Sequence, residues 1–333
     1  MKLIKMAALA VLSFVLLPAT ATAAVYGPQL EGFEYPYPVQ QFSLNSQQQQ
    51  LEMAYLDLPA AKPNGKVALL LHGKNFCAAT WQGSIEALTT AGYRVIAPDQ
   101  IGFCKSSKPK QYQFSFQQLA VNTKALLDKL NIKQVTVMGH SMGGMLATRF
   151  ALLYPKETEQ LVLVNPIGLE DWKALGVPYR TVDQWYQREL KTSAAGIKQY
   201  QLSTYYAGKW RPEFDRWVEM QAGMYQGQGK EQVAWNSALT AEMIFTQPVL
   251  YEFNQLKMPV LLMIGELDNT AIAKDIAPAE LKPTLGNYAK LGPATVKAMP
   301  NASLVTFADL GHSPHIQDPE RFHQQLMKEL QAK

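Results

Sequence analysis

The sequence predicts an α/β architecture: a mainly parallel sheet with helices on both faces, interrupted by one helical insertion. Three observations predict it. The run Val67–Leu71 is apolar at every position, as expected of a strand buried on both faces rather than one. From residue 66 onward such runs alternate with stretches of helical periodicity, the pattern of parallel strands joined by crossover helices. Between Gly168 and Leu256 the alternation stops, and the chain becomes Gln-rich, aromatic and helical.

The elements follow in order. Val39–Leu44 and Leu51–Leu58 read as a strand pair, with the polar Asn45–Gln50 as a solvated hairpin connection. After the strand Val67–Leu71 comes a helix over Thr80–Ala91, stopped by Gly92. Tyr93–Ala97 is a strand. Phe114–Leu130 is an amphipathic helix with Leu119, Val121, Leu126, Leu127 and Leu130 near helical spacing. Val135–Met138 is a strand, Gly143–Leu153 a helix and Leu161–Val164 a strand. The last strands are Val260–Ile264 and Leu304–Phe307, separated by an irregular stretch, Ala271–Asn301, with several prolines and glycines. Asp318-Pro319-Glu320 opens the final helix, with an N-cap followed by Pro at the first turn. Five of the chain's six tryptophans lie in the insertion. Its aromatics are expected to form the small core that the insertion needs, with some facing a pocket.

Composition narrows the function. Of 333 residues 47% are hydrophobic and 17% charged, a globular balance with a sizeable core. The net charge is +4, with no basic stripe interleaved with aromatics, so no nucleic acid is expected as partner. Lys2 and Lys5 precede the apolar run Met6–Leu17, Pro18 breaks it, and Ala21-Thr22-Ala23 fits a signal-peptidase site. Residues 1–24 therefore read as a secretory signal peptide. The run is short for a membrane span, so no stable membrane anchor is expected. The protein is expected to be exported, periplasmic or secreted, where a disulfide persists. No motif speaks to oligomeric state.

The chemistry centres on Gly139-His140-Ser141-Met142-Gly143, a G-x-S-x-G sequence between a strand and a helix. Glycines two before and two after Ser141 permit a sharp turn that lifts the hydroxyl above the sheet, beside the positive end of the following helix. Such a serine needs a base. His312, directly after Gly311 and past the last strand, is the candidate, with His315 the fallback. His72 and His140 suit loop packing. His312-x-x-His315 has a metal-like spacing but no third ligand, so no metal is expected. Asp268, just after Val260–Ile264, is the orienting carboxylate; Glu266 is a near neighbour, and Glu170 or Asp171 the rival. The chain order Ser141, Asp268, His312 is that of the α/β-hydrolase triad.

Taken with His72-Gly73 and Trp81, Ala97-Pro98-Asp99-Gln100-Ile101-Gly102-Phe103, Asn165-Pro166, and Asp318-Pro319-Glu320-Arg321-Phe322, these motifs resemble the α/β-hydrolase fold superfamily in its cap-bearing serine hydrolase branch. The resemblance spans residues 66–330 in the family's order. It implies a core over 25–168 and 256–333, with 169–255 as a helical cap over the site. It also implies an oxyanion hole from the backbone N–H groups of Lys74 and Met142, worth about 3–4 kcal/mol each by analogy with side-chain deletions. The inferred fold makes the loops carrying Cys77 and Cys104 neighbours, so a Cys77–Cys104 disulfide is expected; the alternative is two free buried thiols. Dehalogenases and epoxide hydrolases of this fold use an aspartate nucleophile, unlike Ser141. Related carbon–carbon bond hydrolases often carry a glycine-rich loop after His-Gly, where this chain has Lys74-Asn75-Phe76-Cys77.

The expected activity is a cofactor-independent, carboxylesterase-like hydrolysis of an ester, lactone or thioester, a small molecule with an apolar part under the cap. The alternatives are carbon–carbon bond hydrolysis of a diketone-type substrate, and a non-catalytic ligand-binding protein of the same fold.

Overall fold

The computed structural model describes residues 24–331. The signal peptide read at residues 1–24 lies outside them except for Ala24. One eight-stranded sheet holds β1 (Gln40–Ser46), β2 (Gln49–Leu58), β3 (Val67–Leu71), β4 (Arg94–Pro98), β5 (Val135–His140), β6 (Thr158–Val164), β7 (Val260–Gly265) and β8 (Ala302–Phe307). Their spatial order is β1-β2-β4-β3-β5-β6-β7-β8. β2 is antiparallel to both its neighbours, and every other pairing is parallel. Every residue of β5 and β7 is buried, which is why β7 is apolar without alternation and β5 carries only Thr136 and His140 as polar residues.

The hairpin is tighter than the sequence suggests. Ser46 pairs with Gln49, so the turn is Gln47-Gln48 alone, both at positive φ as a two-residue hairpin turn requires. The glutamines are not merely solvated. Gln47 Nε2 donates to Gln113 O (2.8 Å), Gln113 N donates back to Gln47 Oε1 (2.9 Å), and Gln49 Nε2 donates to Gln111 O (2.6 Å).

The crossover helices cover both faces. α1 (Gln82–Thr90) follows a 3-10 turn; α2 (Phe116–Lys129) starts at Ser115, whose hydroxyl accepts from Gln118 N. α3 (Met142–Leu153) follows β5. After β6 the chain enters the insertion: α4 (Val182–Glu189), α5 (Ala194–Tyr200) running into a π-helical turn (Gln201–Tyr205), α6 (Asp215–Met224) and α7 (Lys230–Thr246). The Ala271–Asn301 stretch is not irregular throughout: it contains α8 (Tyr288–Ala298), the crossover between β7 and β8. Gly292 and Pro293 hide it in the sequence, yet its buried face of Tyr288, Gly292 and Thr295 packs on the sheet. α9 (Pro314–Gln317) and α10 (Pro319–Gln331) close the chain.

Two large apolar cores result, with a small third cluster of Ile197, Val218 and Ala222 in the insertion. One joins Leu70, Val95 and Met138 of the sheet to Ile85 and Leu88 of α1 and Phe322 and Leu326 of α10. The other lies under α2 and α3 and continues unbroken into the insertion through Trp185, Tyr206, Phe214 and Trp217. The segment before β1 laces insertion to core: Tyr26 N donates to Gly223 O of α6 (3.0 Å), and Tyr35 donates to Asp99 Oδ2 (2.7 Å). Among the described residues no helix is long and apolar enough to cross a membrane.

Candidate active site

Ser141 stands at the end of β5 and caps α3, at φ 58° and ψ −123°. The flanking glycines are demanded by close approach. A Cβ on Gly139 would lie 2.1 Å from Gly143 O, and one on Gly143 would lie 2.0 Å from Leu71 O. The turn thus wedges against β3, and Gly73 of the next loop sits so close that a Cβ there would be 2.9 Å from Ser141 Cβ. Ser141 is buried, with 6% of its surface exposed.

His312 and Asp268 come together from the loops after β8 and β7. His312 Nδ1 donates to Asp268 Oδ2 at 2.6 Å, both side chains fully buried. Asp268 is itself held. Asn165 Nδ2 donates to Oδ2 (2.9 Å) and Thr270 N to Oδ1 (2.8 Å). Asn165 is clamped to β7 through Gly265 N (2.8 Å). Three donors thus converge on this one carboxylate. The opposite ring nitrogen of His312, Nε2, is buried and has no hydrogen-bond partner among the described residues. The backbone of His312 is fixed too: its N–H donates to Thr204 O (3.2 Å), and its carbonyl accepts from His140 Nε2 (2.8 Å).

The rival acids go elsewhere. Glu170 accepts from Trp172 Nε1 and Gly286 N, and burial raises its pKa. Asp171 accepts from Lys173 N and Tyr251 OH. Glu266 is half-buried, and its backbone N–H pairs with Phe307 O. His315, the fallback base, packs its ring against Trp81 (4.7 Å between centroids) and His140 (4.6 Å), and neither of its ring nitrogens has a partner among the described residues.

His72 donates from Nδ1 to Gly73 O (2.8 Å) and accepts at Nε2 from Gln100 N (3.0 Å), tying the loop after β3 to the end of β4. The amides of Lys74 and Met142 donate to no other group among the described residues. Cys77 and Cys104 form a disulfide between these same two loops, with Cα atoms 5.9 Å apart. Asp99 lies beside the two sulfurs but is filled by Ala78 N, Lys105 N and the Tyr35 hydroxyl. Replacing both cysteines by serine is expected to cost roughly 2–5 kcal/mol of stability. Urea unfolding of the oxidised protein against that variant checks it; equal midpoints would contradict it.

Four histidines are held below the ordinary imidazole range. Burial lowers the pKa of His72, His140, His315 and His323, in His140 and His315 with help from neighbouring rings, and His323 falls to about 4. The unfolded chain takes up protons at these rings below about pH 6.5, and the folded one only at lower pH. Unfolding free energy is therefore expected to fall as pH drops from 6.5 towards 4. His323 Nε2 pairs with Ser84 Oγ at 2.9 Å, which glutamine can mimic. His323→Gln should flatten the decline of Tm over that window; an unchanged slope would contradict the assignment.

A cleft of about 530 Å³ opens between the insertion and the core, lined by Lys74, Asn75, Trp185, Tyr200, Ile272 and Lys274 among others. Tyr205 packs on His312. Its ring lies 4.9 Å from the His312 ring, and its hydroxyl accepts from Asn75 Nδ2 (2.9 Å). Most of the insertion's aromatics are core: Trp172, Trp185, Tyr206, Trp217 and Tyr225 are buried. Asn165 and Tyr205 were not singled out as site residues by the sequence. An asparagine at a strand end is commonplace, and nothing in the spacing marks one insertion tyrosine over the others.

The comparisons agree with the fold. The family model described as alpha/beta hydrolase fold matches residues 67–319. The structure of a probable hydrolytic enzyme from Pseudomonas aeruginosa is 67% identical, with a TM-score of 0.91, covering 92% of this chain and 98% of that one. An esterase from Exiguobacterium antarcticum shares the fold at 18% identity and TM-score 0.68, over 88% of this chain and all of that one. A 2-hydroxy-6-oxo-6-phenylhexa-2,4-dienoate hydrolase from Burkholderia cepacia is 37% identical over 108 residues, 32% of this chain and 38% of that one. The chain spans about a third of the length of the first curated relatives it matches. With the sheet order, the turn at Ser141 and the family match over residues 67–319, the chain belongs to the α/β-hydrolase fold family.

Proposed function

We propose that the protein is an exported serine hydrolase that cleaves an ester, lactone or thioester of a small molecule. Export rests on the leader-like residues 1–24. The observation that carries the catalytic reading is the buried His312–Asp268 pair at 2.6 Å, with His312 Nε2 left unpaired on the side opposite the carboxylate.

In this reading Ser141 Oγ attacks the acyl carbon while His312 Nε2 takes its proton. The carbonyl π electrons move to oxygen, and the amides of Lys74 and Met142 hold the oxyanion. Asp268 fixes the ring tautomer and stabilises the imidazolium. The oxyanion collapses, the alcohol or thiol leaves with the His312 proton, and an acyl-enzyme remains. Water, deprotonated by the same nitrogen, releases the acid. A panel of short- and long-chain p-nitrophenyl esters tests the reading and ranks acyl length. Turnover by the wild type is expected; no turnover of any ester would count against it.

A second reading, carbon–carbon bond hydrolysis of a diketone-type substrate, draws support from the similarity to the Burkholderia cepacia enzyme. Turnover of a diketone in the absence of any ester turnover would favour it. Ligand binding with neither turnover would favour a non-catalytic receptor.

A further inference from the structure

The insertion and the oxyanion loop meet at one side chain. Lys74 follows His72-Gly73, on the loop pressed against Ser141. Its side chain leaves the core and enters the insertion. Nζ lies 3.1 Å from Glu189 Oε1 at the end of α4 and donates to Ser237 Oγ (2.6 Å) in α7. Glu189 Oε2 accepts from the Tyr225 hydroxyl (2.9 Å), just past α6. Helices of the insertion thus converge on one ammonium supplied by the core. The pair is largely out of water, with side chains 15% and 8% exposed. Burial pushes the Glu189 carboxyl up, but Lys74, together with Arg188 and the Tyr225 hydroxyl, more than offsets this and holds it below its ordinary value. Two buried charges in contact tolerate little separation, because a displaced partner leaves the other charge unpaired in a poor solvent. The next residue, Asn75, holds the tyrosine that packs on His312.

We propose that the Lys74 side chain is a positioning residue: its buried pair with Glu189 couples the seating of the insertion to the backbone amide of the oxyanion loop, so that the site is competent only with the insertion seated. This rests on the serine hydrolase reading. The core end of the loop is fixed independently, by His72 to Gln100 N. Lys74 is therefore held from two sides, and a shift of α4 against the core is transmitted to its N–H. A purely structural pair would lower stability when broken and leave turnover alone.

The test compares Lys74→Met, Glu189→Gln, their double variant and Tyr225→Phe with wild type, using p-nitrophenyl acetate turnover, fluorophosphonate labelling rate and Tm. Lys198→Ala, which removes an exposed cap pair with Asp215, is the control and should behave as wild type. Each single variant of the pair is expected to lower kcat about 10- to 100-fold with KM little changed, as a misplaced catalytic group does. The double variant should be no worse than the poorer single, because both remove one interaction. Tyr225→Phe, the mildest change, should lower kcat in the same direction by less, which keeps the test usable if Lys74→Met fails to fold. Folded Glu189→Gln and Tyr225→Phe proteins with wild-type kcat and labelling rate, whatever their Tm, would overturn the inference alone. A wild type that is neither labelled nor active would overturn the serine hydrolase reading and this inference with it.

Discussion

Ser141→Ala is expected to reduce kcat on any ester the protein turns over by about 10⁴- to 10⁶-fold, with Tm unchanged or slightly raised. Alanine keeps the Cβ that the turn already accommodates at φ 58°, and removes only the oxygen. The glycine contacts with Leu71 and within the turn do not involve the hydroxyl, so the fold has no reason to change. What is lost is the single atom that forms the acyl-enzyme. His312 Nε2 and the two loop amides remain, which leaves the residual catalysis that an oxyanion site and a bound water provide. Activity retained within tenfold would place the nucleophile elsewhere.

The second large effect is Asp268→Asn, expected to lower kcat about 10⁴-fold at neutral pH. The site demands an acceptor at both carboxylate oxygens: Thr270 N donates to Oδ1, while Asn165 Nδ2 and His312 Nδ1 both donate to Oδ2. An asparagine has one acceptor and one amino group. With its oxygen towards Thr270, its amino group meets the Asn165 amino group and turns His312 to present a bare Nδ1. The ring proton then sits on Nε2, and the base is in the wrong tautomer. With the amide reversed, the Thr270 N–H loses its acceptor instead. Glu170→Gln and Asp171→Asn should stay near wild-type kcat, because Glu170 serves Trp172 and Gly286, and Asp171 caps a turn. A fully active Asp268→Asn with a depressed Glu170→Gln would reverse the assignment.

Local rules carry the sheet and the turn at Ser141 in the sequence. A strand buried on both faces must be apolar throughout, and the approach of Gly143 to Leu71 O admits no side chain, so both leave marks within a few residues. Features built from distant residues leave none. The Lys74–Glu189 pair joins positions 115 apart in the chain, and no spacing encodes it. Asn165 reaches Asp268 from 103 residues away. The segment before β1 has no periodicity, since Tyr26 is tied to Gly223, Leu30 is buried and Tyr35 is tied to Asp99. α8 is missed for a local reason: Pro293 lacks the N–H an interior helical position uses, so the pattern reads as broken although packing holds it. The insertion's aromatics read as core or pocket alike. Tyr206 and Phe214 stack at 3.8 Å in the core of the insertion, while the ring of Tyr205, one residue earlier, packs on His312.

The central claim is that Ser141 is an activated nucleophile. Intact and peptide mass spectrometry after reaction with a fluorophosphonate tests it most directly. The account predicts one phosphonyl adduct per chain, mapped to the peptide that carries Ser141 and absent from Ser141→Ala. An adduct on another residue, or none on the folded wild type, would contradict it.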